Sequence, residues 1–343
     1  MTEYLCINPE CLNPRNSSSN KKCVSCGTKL QLNSRFYALK LLGKGAFGRT
    51  FVALDQKMQQ KDQFKFVVIK MFFTQFESQQ AIDLFRGEAK QLRALHHDCI
   101  PKFVDYFEQE GKQFIVQELI QGETITQKMM KLGCCKEDEI ISFLYEIIPV
   151  IEYVHEKGVI HRDIKPDNIM KRTKDAKYIL VDFGASFWKP MNENKQQLWK
   201  DGRSTSTSQS PSSSSDNMQD TDIYDENTPA EPIVGTPGFI SPEVMRGERN
   251  KKCDYYSLGV TCIYMLTGVN PISIRGGVQN WKERTNTRAM RASAELKEMI
   301  DGMVALDVRR RHLPELPQLV ERTRVAPLSE LPVDDETWML QRR

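Results

Sequence analysis

The stretch from Val159 to Asn168, Val-Ile-His-Arg-Asp-Ile-Lys-Pro-Asp-Asn, gathers acids, bases and an amide into one short loop. A carboxylate such as Asp163 can orient a hydroxyl and take its proton late in a transfer, and Lys165 can neutralise charge on a moving phosphoryl group. Asp182-Phe183-Gly184 follows the strand-like Tyr178 to Val181 and adds a second carboxylate. Asn168 and Asp182 offer hard oxygens of the kind magnesium prefers beside phosphate. The chemistry suggested is that of a magnesium-nucleotide site. Any one of these residues alone would read as a helix cap or a turn residue; their order and spacing carry the reading.

Such a loop needs elements to hold it. Apolar residues at helical spacing between Lys136 and Lys157 (Ile140, Phe143, Leu144, Ile147, Ile148, Ile151, Val154) predict a supporting helix beneath it, with Pro149 as a kink. Upstream, Arg35 to Leu42 reads as a strand, followed by the turn Gly43-Lys44-Gly45-Ala46-Phe47-Gly48 and a second strand, Val52 to Asp55. Glycines at this spacing let the backbone approach phosphates. Dinucleotide-binding folds use the same spacing but begin a helix at once, and here a strand continues. A further strand, Phe64 to Met71, carries Lys70, and a helix from Ala81 to Leu95 carries Glu88. Phe114 to Ile120 reads as the last strand of this half, and Cys253 to Thr267 and Ala292 to Leu306 read as later helices.

With Val67-Val68-Ile69-Lys70, His161-Arg162-Asp163, Asp-x-Lys-x-x-Asn and Asp182-Phe183-Gly184 in this order, the chain resembles the eukaryotic-type (Hanks-type) serine/threonine protein kinases from about Phe36 to Arg322. The resemblance implies an α+β, two-lobed kinase fold, with an N-lobe over 36–117, a C-lobe over 123–322 and ATP in the cleft between them. It implies that Lys70 holds the α and β phosphates and pairs with Glu88, and that Leu42, Gly43, Lys44, Gly45, Ala46, Phe47, Gly48, Thr50 and Val68 surround the nucleotide. Gln117 would be the gatekeeper, and backbone groups of Glu118 and Ile120 would bind adenine. Asp163 becomes the catalytic base, Lys165 its neighbouring cation, and Asn168 and Asp182 the magnesium ligands. Asp254 would brace the catalytic loop, and Arg311 would pair with Glu243. Thr50 and Val68 stand where the family usually has valine and alanine, which predicts tuned nucleotide affinity in a still apolar pocket. Lys165 favours Ser/Thr acceptors over tyrosine.

Asp182 to Glu243 resembles an activation segment, ending in Gly235-Thr236-Pro237-Gly238-Phe239-Ile240-Ser241-Pro242-Glu243. It is long: ten of the twelve residues from Ser204 to Ser215 are Ser or Thr, a composition that predicts a flexible insertion over about 190–230. Arg162 beside the base implies control by a phosphate in this segment, with Thr228 as the candidate acceptor. A linker without regulatory meaning is the alternative for the Ser/Thr tract. Residues 323–343 read as a loose tail.

Cys6 and Cys11, then Cys23 and Cys26, form two close pairs separated by eleven residues. Four thiolates at this spacing suit zinc, so residues 1–30 are expected to form a zinc-ribbon-like module. A disordered leader or a redox pair at Cys23 and Cys26 are the alternatives. Combined with the kinase motifs, the module makes the chain similar to cyanobacterial kinases with an N-terminal four-cysteine motif. The other five cysteines, Cys99, Cys134, Cys135, Cys253 and Cys262, are expected to be packing residues.

The 343 residues carry a net charge of only +3 from 48 basic and 45 acidic side chains, which gives no strong field for nucleic acid or a membrane surface. The longest apolar stretch, Ile140 to Val154, is broken by polar residues and Pro149, so no spanning helix is expected and the cytoplasm is the expected location. Protein substrates and ATP are the expected partners. A pseudokinase scaffold would bind partners without turnover, but such proteins usually lack the lysine, the base or a metal ligand, and all are present here. A nucleic-acid regulator built on the cysteine module would have only Arg15, Lys21, Lys22 and Lys29 to offer.

Overall fold

The computed structural model describes residues 3–44, 48–57, 66–73, 79–188, 235–248, 250–284 and 292–315. The N-terminal half is built on a six-stranded antiparallel sheet in the order β3-β4-β5-β6-β8-β7, comprising Gln31–Leu32, Phe36–Lys44, Gly48–Asp55, Phe66–Phe73, Lys112–Glu118 and Phe103–Gln109. Strand periodicity sorts the side chains. Val67, Ile69 and Met71 of β6 enter a core with Phe36, Phe51, Phe114 and Val116, so Val68 and Lys70 lie on the opposite face. Helix α1 (Gln79–Ala94) crosses that second face and buries Glu88, Gln91 and Leu92.

The sheet begins earlier than the sequence suggests. β3 pairs with β4 through Leu32–Phe36, so the sheet takes in Gln31–Leu32 ahead of Phe36. β4 and β5 also run longer than expected, pairing as far as Lys44 with Arg49 at the mouth of the glycine-rich turn. Ladder hydrogen bonds extend the strands to where the turn must reverse the chain, beyond the apolar alternation that marks them in sequence.

The two-stranded ribbon of β1 (Glu3–Leu5) and β2 (Arg15–Ser17) precedes this sheet and packs on it. Tyr4 stacks on Tyr37 of β4 at 4.0 Å between ring centroids, and Ile7 enters the same core as Phe36 and Phe51.

The second half is mainly helical. The short β9 (Gly122–Thr124) leads into α2 (Ile125–Leu132), where the Thr124 hydroxyl accepts from the Gln127 amide and the Gln127 side chain accepts from the Thr124 amide, closing a capping box. α3 (Glu137–Glu156) contains Pro149 and buries the apolar stripe from Ile140 to Val154. α5 (Lys252–Thr267) is buried on nearly every face, as expected for the central helix of a lobe. Gly259 lets α7 (Ala294–Val304) approach it: a Cβ there would stand 2.7 Å from Val304 Cγ1. The short α4 (Pro242–Met245) and α6 (Trp281–Arg284) complete this half. One large core joins these helices to Leu92, Ile115 and Phe183, so the cleft between the halves is floored by continuous packing.

Candidate active site

The loop from Val159 to Asn168 leaves the supporting helix α3 through the short β10 (Val159–Ile160) and ends in a 3-10 turn, Pro166–Asn168. β11 (Ile169–Arg172) and β12 (Tyr178–Leu180) then form a hairpin, with Ile169 opposite Leu180. That register sets Asn168 beside the start of Asp182-Phe183-Gly184: the Val181 amide donates to the Asn168 carbonyl at 2.9 Å. The hairpin thus brings the loop's end and the second carboxylate to one place.

Asp254 on α5 fixes the loop's backbone. Its two carboxylate oxygens accept from the amides of His161 at 2.9 Å and Arg162 at 2.8 Å, and His155 Nε2 lies 2.7 Å from Oδ2. Burial opposes this carboxylate's charge, and His155 and the neighbouring donors more than offset it, holding the pKa below its ordinary value. Arg162 is held at φ +63°, a conformation that costs energy for a residue with a side chain, and its Nε donates to the Ala185 carbonyl at 2.8 Å. The loop's shape is therefore imposed from outside.

Both carboxylate oxygens of Asp163 are partnered. Thr236 Oγ1 donates to its Oδ1 at 2.6 Å, Lys165 Nζ to its Oδ2 at 2.8 Å, and Asn168 Nδ2 to its Oδ2 at 2.8 Å and to its main-chain carbonyl at 2.9 Å. Lys165 also donates to Thr236 Oγ1. Thr236 belongs to the ending of the long segment, and sequence reasoning gives it no role. Its signal is present only as a threonine after Gly235, with nothing to tie it to a loop 73 positions earlier.

Across the cleft, Lys70 Nζ donates to Glu88 Oε1 and, at 2.7 Å, to Asp182 Oδ1. Burial works against the lysine's charge, and Asp182 and Glu88 together raise its pKa above the usual value. The same ammonium holds the Asp182 carboxyl well below the ordinary carboxylate range, while burial pushes Glu88 up against it. Asp182 sits at φ +68°, with its side chain about half exposed (49%) toward the cleft. Behind it, Phe183 packs edge-on to His161 at 4.8 Å, and Ser186 donates to Gln91 of α1. The Ser186–Gln91 bond links α1 directly to the segment after Asp182, and it too lies beyond what the sequence motifs mark.

Of the residues expected around a nucleotide, Val68 and Ile120 are buried, and Val68 is paired in the sheet with Gln117. Leu42 is exposed, at 47%. The Glu118 amide is taken by the Lys102 carbonyl at 2.9 Å, and its carboxylate accepts from the Lys102 amide, so Glu118 closes the end of β8. Thr50 lies opposite both Gly43 and Lys70, which aligns Gly43, Lys44 and Gly48 with the lysine. Gly48 has room for no side chain, since a Cβ would meet the Met71 carbonyl oxygen at 2.0 Å. Gly45, Ala46, Phe47 and Thr228 lie outside the described residues, as do the Ser/Thr tract and the tail. The expected Glu243–Arg311 pair is present, with both side chains fully buried.

The four cysteines converge. Their sulfurs all lie within 4.8 Å of one another, with Cys6 to Cys26 at 3.5 Å and Cys11 to Cys23 at 3.6 Å. A tetrahedron with metal–sulfur bonds of about 2.3 Å has sulfur–sulfur edges of about 3.8 Å, whereas a disulfide would need about 2.05 Å. Backbone amides support the sulfurs: Asn8 for Cys6, Asn13 for Cys11, Ser25 and Cys26 for Cys23, and Thr28 for Cys26. The Thr28 hydroxyl and amide bring the Cys26 thiol down to about 6, while burial pushes Cys6 up. Gly27, at φ +74°, makes the turn that permits this. Of the remaining cysteines, Cys135, Cys253 and Cys262 are buried, and Cys99 and Cys134 pack against the large core, as expected of packing residues.

Comparison with known proteins gives a consistent result. The family model described as protein kinase domain matches residues 36–321. Serine/threonine-protein kinase B of Synechocystis sp. (strain ATCC 27184 / PCC 6803 / Kazusa) is 34% identical over 321 residues, covering 90% of this chain and 49% of that protein. Serine/threonine-protein kinase PknA of Nostoc sp. (strain PCC 7120 / SAG 25.82 / UTEX 2576) is 31% identical over 286 residues, covering 82% of this chain and 45% of that protein. The chain spans about half the length of these curated relatives.

Proposed function

This chain belongs to the protein kinase family, among its eukaryotic-type serine/threonine members, and from that premise we propose that it transfers the γ-phosphoryl group of Mg-ATP to serine or threonine hydroxyls of proteins. The observation that carries the reading is the environment of Asp163. One carboxylate oxygen faces the Thr236 hydroxyl and the other is held by Lys165 and Asn168. A substrate hydroxyl in the place where that carboxylate accepts would be oriented for attack, its proton passing to Asp163 as the new phosphorus–oxygen bond forms and the bond from the γ-phosphorus to the β–γ bridging oxygen breaks, leaving ADP. Lys165, already fixed on Asp163, would offset charge on the transferring group. Lys70, anchored by Glu88, would hold the α and β phosphates.

Asn168 and Asp182 would hold magnesium. Their donor set fits, since a half-exposed carboxylate kept ionised by a neighbouring lysine is the hard oxygen ligand that the ion requires. Bound there, the ion would neutralise phosphate charge. Val68, Thr50, Leu42 and the backbone of Glu118 and Ile120 would receive the adenine, with Gly43 to Gly48 over the phosphates. Cys6, Cys11, Cys23 and Cys26 would bind a structural zinc ion, supported by the sulfur spacing and the amides aimed at it. Phosphorylation in the activation segment, with Thr228 as acceptor, belongs to the same reading, which rests on Arg162 standing beside the proposed base. Among the described residues no helix is long and apolar enough to cross a membrane, and a cytoplasmic setting with protein substrates completes the proposal.

The test is transfer of labelled phosphate from ATP to a protein acceptor, comparing the parent with Asp163→Ala and Lys70→Met. Loss of incorporation in both variants is expected. Equal incorporation in all three chains would sink the enzyme reading.

A further inference from the structure

The four-cysteine module is fastened to the part of the sheet that would cover the phosphates. Its first turn, between Cys6 and Cys11, presents the Pro9 carbonyl, which accepts a hydrogen bond from Arg49 Nη2 at 3.0 Å. Arg49 directly follows Gly48 on the strand leaving the glycine-rich turn. It is paired with Lys44 on one side and Met71 on the other. Its neighbour Thr50 is opposite Lys70, the residue bonded to Glu88 and Asp182. A connected path of backbone and side-chain bonds therefore runs from the cysteine turn to the cleft lysine.

The rest of the contact makes the turn a firm anchor. Ile7, next to Cys6, is buried in the core beneath β4 and β5, and Tyr4 stacks on Tyr37. The hairpin end itself is thinly supported. Leu42, Gly43 and Lys44 are exposed, so apolar burial does little to hold them. Beyond the ladder, the bond from Arg49 gives this end a second point of attachment, on a turn whose own shape depends on the sulfur cluster.

We propose that Arg49 is a positioning residue for the nucleotide, and that through its bond to Pro9 the four-cysteine module acts as a strut setting the glycine-rich hairpin over the cleft. The inference rests on the phosphotransfer and four-thiolate readings above. It makes nucleotide affinity depend on the metal state of a module that does not touch the nucleotide. A flexible arginine at a partly exposed site gives a modest effect, about threefold to tenfold in affinity for one charge-assisted hydrogen bond.

The experiment uses the full chain and measures equilibrium binding of a non-hydrolysable ATP analogue with magnesium, before and after zinc is stripped with a chelator, in the parent, Arg49→Gln and Arg49→Lys. Zinc content and melting temperature are recorded for each. In the parent, stripping should weaken analogue binding about threefold to tenfold. Zinc-loaded Arg49→Gln should already be weakened by that amount, with an unchanged melting temperature, and should lose less than about twofold more on stripping. Arg49→Lys, which keeps a cationic donor, should recover part of the loss. In steady state the apparent KM for ATP should rise while kcat at saturating ATP stays within about twofold. Parental affinity in zinc-loaded Arg49→Gln, or equal further losses in parent and variant on stripping, would overturn the strut alone. A parent that binds no analogue would overturn the kinase reading and the strut together, and a parent that neither holds nor takes up zinc would overturn the four-thiolate reading and the strut together.

Discussion

Thr236 Oγ1 donates to Asp163 Oδ1 at 2.6 Å and accepts from Lys165, so one hydroxyl from the end of the long segment closes the polar set around the proposed base. The contact spans the two parts of the chain that must be in register for a substrate hydroxyl to meet Asp163. Replacing Thr236 by valine keeps the shape and removes both bonds. We expect kcat to fall about tenfold to a hundredfold with a smaller change in KM for ATP, the pattern of a mispositioned base. Steady-state phosphotransfer over a range of ATP concentrations checks this, and parental kcat in Thr236→Val would refute it. Thr236→Ser should retain most of the activity.

Glu243 and Arg311 form a fully buried ion pair, with Arg311 also donating to the carbonyls of Lys252 at 3.1 Å and Ala305 at 3.0 Å. Removing one partner strands the other charge away from water. Arg311→Met should therefore destabilise the chain by about 3–5 kcal/mol, and the double variant Glu243→Gln/Arg311→Met should recover part of the loss. Denaturant melts of the three chains decide the matter, and a single variant as stable as the parent would contradict the burial.

Asp98 accepts from Arg172 at 2.9 Å and from Lys177 at 3.0 Å, and these bonds, Arg172 first, lower its carboxyl to about 2. A carboxyl whose folded pKa lies below its unfolded value stabilises the fold above the unfolded value, near 3.9, and loses that contribution as pH falls through the folded one. The stability difference between the parent and Asp98→Asn should thus be constant above about pH 5 and shrink between roughly pH 4 and pH 2. Because Asp98 is largely exposed, the difference will be small. A gap that widens as pH falls would have the wrong sign.

Zinc content separates the cysteines into two classes. Substituting Cys6, Cys11, Cys23 or Cys26 by serine should abolish stoichiometric zinc and lower the melting temperature, whereas Cys99→Ser should leave zinc content at the parental level. Elemental analysis of purified chains, with melting curves, gives the answer. Retention of a full equivalent of zinc after loss of Cys23 would exclude the four-thiolate site.

The local part of this architecture is legible in the sequence. Alternation in Val67-Val68-Ile69-Lys70 places Lys70 away from the core, and the spacing of Glu88 on a helix lets it meet that lysine. Asp254 and the Glu243–Arg311 pair follow from the kinase resemblance. Contacts that join distant segments through ordinary residue types leave no such trace. Thr236 is one threonine among many, Gln91 and Ser186 have neither periodicity nor motif, and His155 reads only as the end of a helix. The docking of the cysteine module is hidden for the same reason. Ile7 and Tyr4 look like residues of an independent unit until β4 is seen to lie against them.

The short strand Gln31–Leu32 has a further consequence for how the chain can be divided. It covers the outer edge of β4 at Phe36 and Tyr37, and Leu32 is fully buried beside Phe36. A chain trimmed to residues 36–321, where similarity to the kinase domain begins and ends, would bare that edge together with the aromatic ring of Tyr37, leaving unpaired backbone groups beside an apolar patch. Such an edge is a template for intermolecular strand addition. The trimmed catalytic unit is therefore expected to self-associate and precipitate, and a soluble fragment should start before Gln31.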